Sequence, residues 1–401
     1  MKTVILCSLI CSTSILHAAD WPRWRGPDLN GISKETEWSA KFPDGEPKIV
    51  WKAKVGTGFS SVSVAARRLF TIGNTGGTET VWCFDAATGK EVWKHEYVCP
   101  LDPKYFEGGP TSTPTVDGDV VYTLSRRGHV YAFEAATGKV RWSNNLAEEN
   151  GMPMPTWGFS GSPLVQGKLL VLNIGDAGMA VDKTTGKVIW KSATEEAGYS
   201  TAMPIKRGER SFLIFGCKKS WRAVDSGSGE EVWSHRWLTR YGVNAADPII
   251  SGDHILVSSG YGKGAALLKW ANENEEPEVV WKNKDLRSQM APAVLVDGHL
   301  FGTDGDAGNK NALKCLDFAT GEVKWSESNI GTGGVIAADG KLIVLSSRGE
   351  LIVAPASSEK FEPIARAQVL GGKCWTVPVL ANARVYCRNA AGDLICVDVS
   401  K

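Results

Sequence analysis

Asp85-Ala-Ala-Thr-Gly-Lys-Glu-Val-Trp93 decides the fold, because it returns along the chain. It recurs as Glu134-Ala-Ala-Thr-Gly-Lys-Val-Arg-Trp142 and Asp182-Lys-Thr-Thr-Gly-Lys-Val-Ile-Trp190. Asp225-Ser-Gly-Ser-Gly-Glu-Glu-Val-Trp233 and Asp317-Phe-Ala-Thr-Gly-Glu-Val-Lys-Trp325 follow. Trp51 and Trp281 end strands of the same kind, Ile49-Val50-Trp51 and Val279-Val280-Trp281, behind turns that have diverged. Successive tryptophans from Trp51 to Trp325 stand 42, 49, 48, 43, 48 and 44 residues apart. That period belongs to four-stranded propeller blades.

Between these phrases lies a second repeated one, a proline-marked strand, a turn and an apolar strand. Thr113-Pro-Thr-Val-Asp-Gly-Asp-Val-Val-Tyr122 and Ser162-Pro-Leu-Val-Gln-Gly-Lys-Leu-Leu-Val171 are examples. Alternating apolar residues about a Gly-containing turn predict a hairpin of two inner strands. The Asp-x-x-Thr-Gly turn then joins two outer strands, its glycine free to take a positive φ. Each unit reads as strands A, B, C and D.

Inner strands beginning near Ser61, Thr111, Gly161, Thr201, Ala245, Met290, Gly333 and Thr376 make eight units. The eighth lacks a D strand, and the orphan Ile49-Val50-Trp51 supplies it. The expectation is an all-β, eight-bladed β-propeller over residues 48–399, closed by its N-terminal strand. Closure removes the open sheet edges. The tryptophans Trp51, Trp93, Trp142, Trp190, Trp233, Trp281 and Trp325 read as wedges between blades.

Composition sets outer bounds. The chain has 401 residues, 45 Lys+Arg against 44 Asp+Glu, and offers no general field for nucleic acid or anionic membrane. Residues 1–19 read as a cleaved signal peptide: Lys2, an apolar run from Val4 to Leu16, then Ala18-Ala19. His17 is a poor −3 residue for a cut after Ala19, so a cut after Ala18 stays open. Cys11 follows Leu9-Ile10, which argues against a lipoprotein. No later run is long enough to span a membrane. A periplasmic or secreted protein is expected.

Seven of the nine cysteines follow the leader, an odd number without zinc spacing. They read as small buried strand residues, with Cys387 and Cys396 the one pair worth testing as a disulfide. Residues 20–47 form an N-terminal arm opening Trp21-Pro-Arg-Trp-Arg-Gly-Pro27. It is either a tail pinned on the ring or a lid or partner-docking arm.

The tandem phrases from Ile49 to Val399 resemble the pyrroloquinoline-quinone-repeat (quinoprotein-like, BamB-like) propellers. The resemblance implies two activities. One branch comprises dehydrogenases holding the quinone and calcium on the ring axis. The other resembles the outer-membrane protein assembly lipoprotein, which keeps the ring without a cofactor. The dehydrogenases share an adjacent-cysteine ring, a calcium site of carboxylate plus amide, and an aspartate beside the quinone. No Cys-Cys pair occurs here, and only Asn244 and Asp247 offer an amide and an aspartate close together.

Any site should sit where D-to-A and B-to-C connections vary in length, opposite the short uniform turns. Ser60, Thr111, Trp157, Phe159, Tyr199, Asn244, Asp247, Gln289 and Trp375 are expected to line the channel mouth there. Aromatics among uncharged hydrogen-bonding groups suit a flat or extended ligand, against a plugged, water-filled channel. Arg126-Arg127 and Lys218-Lys219 on that face read as solvated loop charges. Asp304-Gly-Asp306 reads as a polar loop, lacking the later glutamate of a calcium loop. The scattered histidines form no triad pattern, and Gly260-Tyr-Gly-Lys-Gly264 lacks the context of a phosphate loop.

The reading is an exported, non-catalytic scaffold that binds another extracytoplasmic protein or an extended ligand. No cofactor or metal is expected. The alternative is a quinone- and calcium-dependent alcohol or sugar dehydrogenase.

Overall fold

The computed structural model describes residues 19–308 and 311–401. The leader expected over residues 1–19 falls, apart from Ala19, outside the described residues. The fold is an eight-bladed β-propeller of four-stranded antiparallel blades. The innermost A strands are Ser63–Ala65, Thr115–Asp117, Leu164–Gln166, Met203–Arg207, Ile249–Ser251, Val294–Val296, Gly334–Ala338 and Val379–Ala381. They begin one to four residues later than the expected positions, several directly after a proline (Pro114, Pro163, Pro248, Pro378). Proline has no N–H to give to a ladder, so the ladder starts behind it. The residues just before these strands are thereby left as loop at the channel mouth.

The ring closes through Lys48–Lys54, which pairs antiparallel with Asp393–Asp398 as the D strand of blade 8. Arg388 of blade 8 reinforces the seam. Its guanidinium donates to Ser60 O (2.8 Å), Thr71 Oγ1 (2.8 Å), Ile72 O (2.7 Å) and Gly56 O (3.0 Å) across to blade 1.

The repeated phrase explains its own residues. Asp85 Oδ1 accepts from the Thr88 N–H and hydroxyl, both at 2.8 Å, and the Gly89 N–H closes the turn on Asp85 O. The same contacts recur at Asp182–Thr185, Asp225–Ser228 and Asp317–Thr320. The D-strand tryptophan then reaches the neighbouring blade. Indole N–H groups donate to a backbone carbonyl there: Trp51 to Ala86, Trp93 to Ala135, Trp142 to Lys183, Trp190 to Ser226, Trp281 to Phe318 and Trp325 to Ser357.

Each such D strand carries a register shift at the residue before its tryptophan. A bulge re-aims the side chain that follows, and it leaves Val50, Val92, Ile189 and Val280 exposed on the rim of the ring. Blade 5 has lost the Asp-x-x-Thr-Gly turn. Trp270 fills the gap there, packing edge-on against Trp233 at 5.6 Å.

The seven cysteines among the described residues are all free and buried. Cys387 and Cys396 do not form a disulfide. Cys387 is opposite Ile395 and Cys396 is opposite Tyr386, so the two side chains point to different faces of the blade. Among the described residues no helix is long and apolar enough to cross a membrane.

Candidate functional site

The D-to-A and B-to-C connections surround a cavity of about 1010 Å³ at one end of the ring axis. Its walls come from Tyr105–Phe106 and Thr111 between blades 1 and 2, Trp157 and Tyr199 in the next two connections, and Leu238, Tyr241 and Asp247 before blade 5. Gln289, Trp375, Phe59, Lys218, Lys219 and Tyr261 complete it. Two aromatic clusters dominate. Tyr199, Trp157, Tyr241 and Tyr261 follow one another at centroid separations of 5.8, 6.3 and 5.2 Å. Phe106, Phe59 and Trp375 form the second, at 5.5 and 5.6 Å, with Lys373 Nζ 4.3 Å above Trp375.

Six of the nine residues expected at the mouth line this cavity: Thr111, Trp157, Tyr199, Asp247, Gln289 and Trp375. Ser60, Phe159 and Asn244 do not, and all three are fully buried. The Ser60 hydroxyl donates to Ser61 O, and Phe159 packs between blades 2 and 3 beside Leu146 and Met152. The Asn244 amide donates to Cys217 O (2.7 Å) and Trp237 O (3.3 Å), and its oxygen accepts from Ser259 Oγ (2.8 Å). Strand spacing located these residues near the mouth; which side of the connection each faced was not in the spacing.

Arg126 is a second correction. It is buried instead of solvated, donating to Trp157 O and to Asp102 O (3.3 Å) while its guanidinium lies 5.5 Å from the Phe106 ring. It ties two cavity-wall loops together. Its neighbour Arg127 is exposed and pairs with Asp102 at 2.8 Å, so adjacent arginines in the sequence have opposite roles. Lys218 is half-buried and paired with Glu196 at 2.5 Å. Asp304 is held by Arg287 and Lys314, both at 2.8 Å, which fits a structural loop.

The N-terminal arm, for which the sequence allows a pinned tail or a lid or partner-docking arm, contributes Trp24 to the cavity. The arm crosses the channel from the short-turn face. Trp21 exchanges backbone hydrogen bonds with Val64, Pro22 O accepts from Val116, and Ile32–Ser33 pairs in parallel with Ala337–Ala338. Glu35 accepts from the Asn382 and Ala383 N–H groups of the blade 8 turn. Trp24 reaches the cavity, and its indole N–H donates to Asp247 Oδ2. Asp247 Oδ1 accepts from Thr201 N at 2.7 Å. Burial pushes the Asp247 carboxyl up to about 6, against the opposing pull of Arg25 and these two donors. Arg25 itself donates to Leu29 O, Asn30 O and Ala293 O.

One consequence is testable. A carboxyl raised in the folded state holds its proton there at pH values where the unfolded chain has lost it. Its contribution to stability therefore falls as pH rises from the ordinary carboxylate range through about 6. Trp24→Phe removes a donor to the ionised form and raises this group further. The falling limb should extend to higher pH, with about 1.5 kcal/mol lost at pH 8. Urea unfolding of both proteins between pH 4 and 8 checks this, and superimposable profiles would refute it.

Asn244 and Asp247 are not placed as the amide and carboxylate of a quinone–calcium site. Asn244 faces away from the cavity with its amide fully engaged, and both Asp247 oxygens are occupied by donors. Among the described residues no group of three or more His, Cys, Asp or Glu side chains converges to hold a metal.

A family model described as outer membrane protein assembly factor BamB matches residues 77–327, more than half of the chain. The chain belongs to that family. Outer membrane protein assembly factor BamB of Burkholderia pseudomallei is 25% identical over 246 residues, covering 56% of this chain and 58% of that protein. A quinoprotein ethanol dehydrogenase of Pseudomonas aeruginosa is 26% identical over 162 residues, covering 36% of this chain and 26% of the enzyme. The chain thus spans less than two thirds of the length of these curated relatives. The crystal structure of BamB from Moraxella catarrhalis aligns with a TM-score of 0.65 at 16% identity, covering 88% of this chain and all of that one. That likeness shows the BamB-type propeller fold.

Proposed function

We propose that this BamB-family propeller is an extracytoplasmic binding scaffold that takes a protein segment or other extended ligand into the aromatic funnel. The observation that carries the reading is the funnel itself. It is a cavity of about 1010 Å³, walled by two aromatic clusters and built from the variable connections together with Trp24 of the arm. Concave, mainly apolar walls with a few polar groups are what ligand sites present.

A dehydrogenase needs an ionised, accessible aspartate and a calcium-binding amide beside it, and Asp247 and Asn244 are engaged elsewhere. The proposal therefore places no cofactor in the funnel. Titrating the purified chain with pyrroloquinoline quinone, with and without calcium, should give no saturable tryptophan quenching. A photo-reactive residue at exposed Met154, in the connection that bears Trp157, should cross-link a partner in the native envelope, and one at Val188 on the outer strand should not. Calcium-dependent quenching with quinone-dependent oxidation of an alcohol or sugar would sink the reading.

A further inference from the structure

Three tyrosines on the funnel share a backbone anomaly. Tyr105, Tyr241 and Tyr261 have φ of 66, 100 and 55°, and all three line the cavity. A bulky side chain at positive φ is strained, because its Cβ crowds the following carbonyl. Other left-handed residues of this chain, such as Asp297, Asp339 and Asn382–Ala383, sit in the two-residue A-to-B turns that require that conformation. The tyrosines lie in longer connections where Gly or Asn would meet the same need without strain. Strain held at a concave site points to a use for the side chain.

The rings are placed accordingly. Tyr105 is almost wholly exposed and Tyr241 more than half exposed, in spite of their size. Tyr241 stands edge-on to both Trp157 and Tyr261. Tyr261 is fixed twice: its N–H donates to Asp306, and its hydroxyl accepts from Gln289 Nε2 at 3.0 Å. Tyr105 thus stands free, and Tyr241 presents an exposed face, over a funnel whose next layer is fixed.

The charge around the rim selects the occupant. Three of its carboxylates are paired with cations, Glu107 with Lys373 at 2.8 Å, Glu196 with Lys218 and Asp102 with Arg127, while Asp306, which accepts from the Tyr261 N–H, and exposed Glu195 keep their charge. Among the described residues, Lys104 and Lys219 at the rim, and Arg240 stacked 5.2 Å from the Tyr241 ring, have no carboxylate partner. Three cations against these two carboxylates leave the surplus positive. Below it, an aromatic side chain of this chain already enters the channel, since the arm brings Trp24 there on a run of turns.

We infer that Tyr105, Tyr241 and Tyr261 form an aromatic clamp for an extended acidic peptide segment that carries a large aromatic or apolar side chain. The peptide's ring enters between the two aromatic clusters, and its carboxylates meet Lys104, Lys219 and Arg240. The inference rests on the scaffold reading and specifies its ligand.

The test uses a displayed library of random nonapeptides selected on the mature chain. Enriched peptides should combine Asp or Glu with Phe, Tyr or Trp. Tyr105→Asn and Tyr241→Asn should each weaken them roughly tenfold or more, as expected for aromatic anchors. Tm should stay unchanged or rise in both variants, because asparagine tolerates the left-handed backbone. A purely structural tyrosine would instead lower Tm and leave affinity alone. Peptides that bind both variants undiminished overturn the clamp and leave the scaffold standing. Neutral or basic consensus sequences, or binding only on an oligosaccharide array, overturn the acidic peptide. A library yielding nothing while Met154 still cross-links a partner does the same, whereas loss of that cross-link as well removes the scaffold reading itself.

Discussion

Arg388→Met should lower the stability of the propeller by about 4 kcal/mol, and the loss should be felt first at the seam between blades 8 and 1. The guanidinium is 1% exposed and donates to three backbone carbonyls and one hydroxyl, all on the blade 1 side. Burial lowers its pKa to about 9, with no carboxylate near enough to oppose the shift. It still carries its charge at pH 7. That charge costs free energy to bury, and the four acceptors it satisfies are the compensation. Methionine fills similar space without donors, so buried oxygens are left unpaired at about 1–3 kcal/mol each before relaxation. Arg388→Lys keeps the charge but cannot span Gly56 and Ile72 together, and should fall between the two. Hydrogen exchange should quicken in Lys48–Lys54 and Val379–Ala381, ahead of blades 3 to 5, when global unfolding is measured alongside. A loss below about 1 kcal/mol would mean that strand pairing with Asp393–Asp398 holds the seam unaided.

The ring was legible in the sequence because a repeat states the same physical requirement several times over. One Asp-x-x-Thr-Gly-x-x-x-Trp phrase is a turn followed by an aromatic. Five such phrases, two of them with Glu134 or Ser228 as a variant, together with a missing last strand and an orphan first one, leave little but a closed propeller. The site was legible only in part, and for a physical reason. Strand ends locate connections, which placed Thr111, Trp157, Tyr199, Asp247, Gln289 and Trp375 near the axis. The facing of a side chain within an irregular connection depends on contacts distant in sequence. Asn244 turns away because Cys217 O and Trp237 O need a donor, and no local pattern announces that. The arm shows the same limit: Trp24 meets Asp247 across 223 residues. The strained tyrosines carried no signal either, because φ is not periodic and tyrosine is ordinary in loops.

Gly138→Ala should destabilise by about 3 kcal/mol, while Gly118→Ala, twenty residues away in the same blade, should cost about 1 kcal/mol. Both glycines have positive φ, 75° and 60°, so both pay the left-handed penalty of a new Cβ, about 1–2 kcal/mol. They differ in what that Cβ meets. At Gly118 there is nothing within 4 Å, whereas at Gly138 it would lie 2.6 Å from the Trp93 ring of the preceding blade. The indole cannot move aside cheaply, because its N–H is held by Ala135 O at 3.0 Å and its ring packs against Phe70 and Phe133. Overpacking of this kind adds about 1–3 kcal/mol. The same clash recurs at Gly89 with Trp51, Gly186 with Trp142, Gly229 with Trp190 and Gly321 with Trp281. The glycine and tryptophan of the repeat are therefore two halves of one contact between successive blades. Pairing Gly138→Ala with Trp93→Leu should make the two costs less than additive, as expected of residues that touch. Urea midpoints for the two single variants and the double variant measure this coupling. Equal losses at Gly118 and Gly138 would show that the glycine serves the turn alone, and that the wedge is held without it.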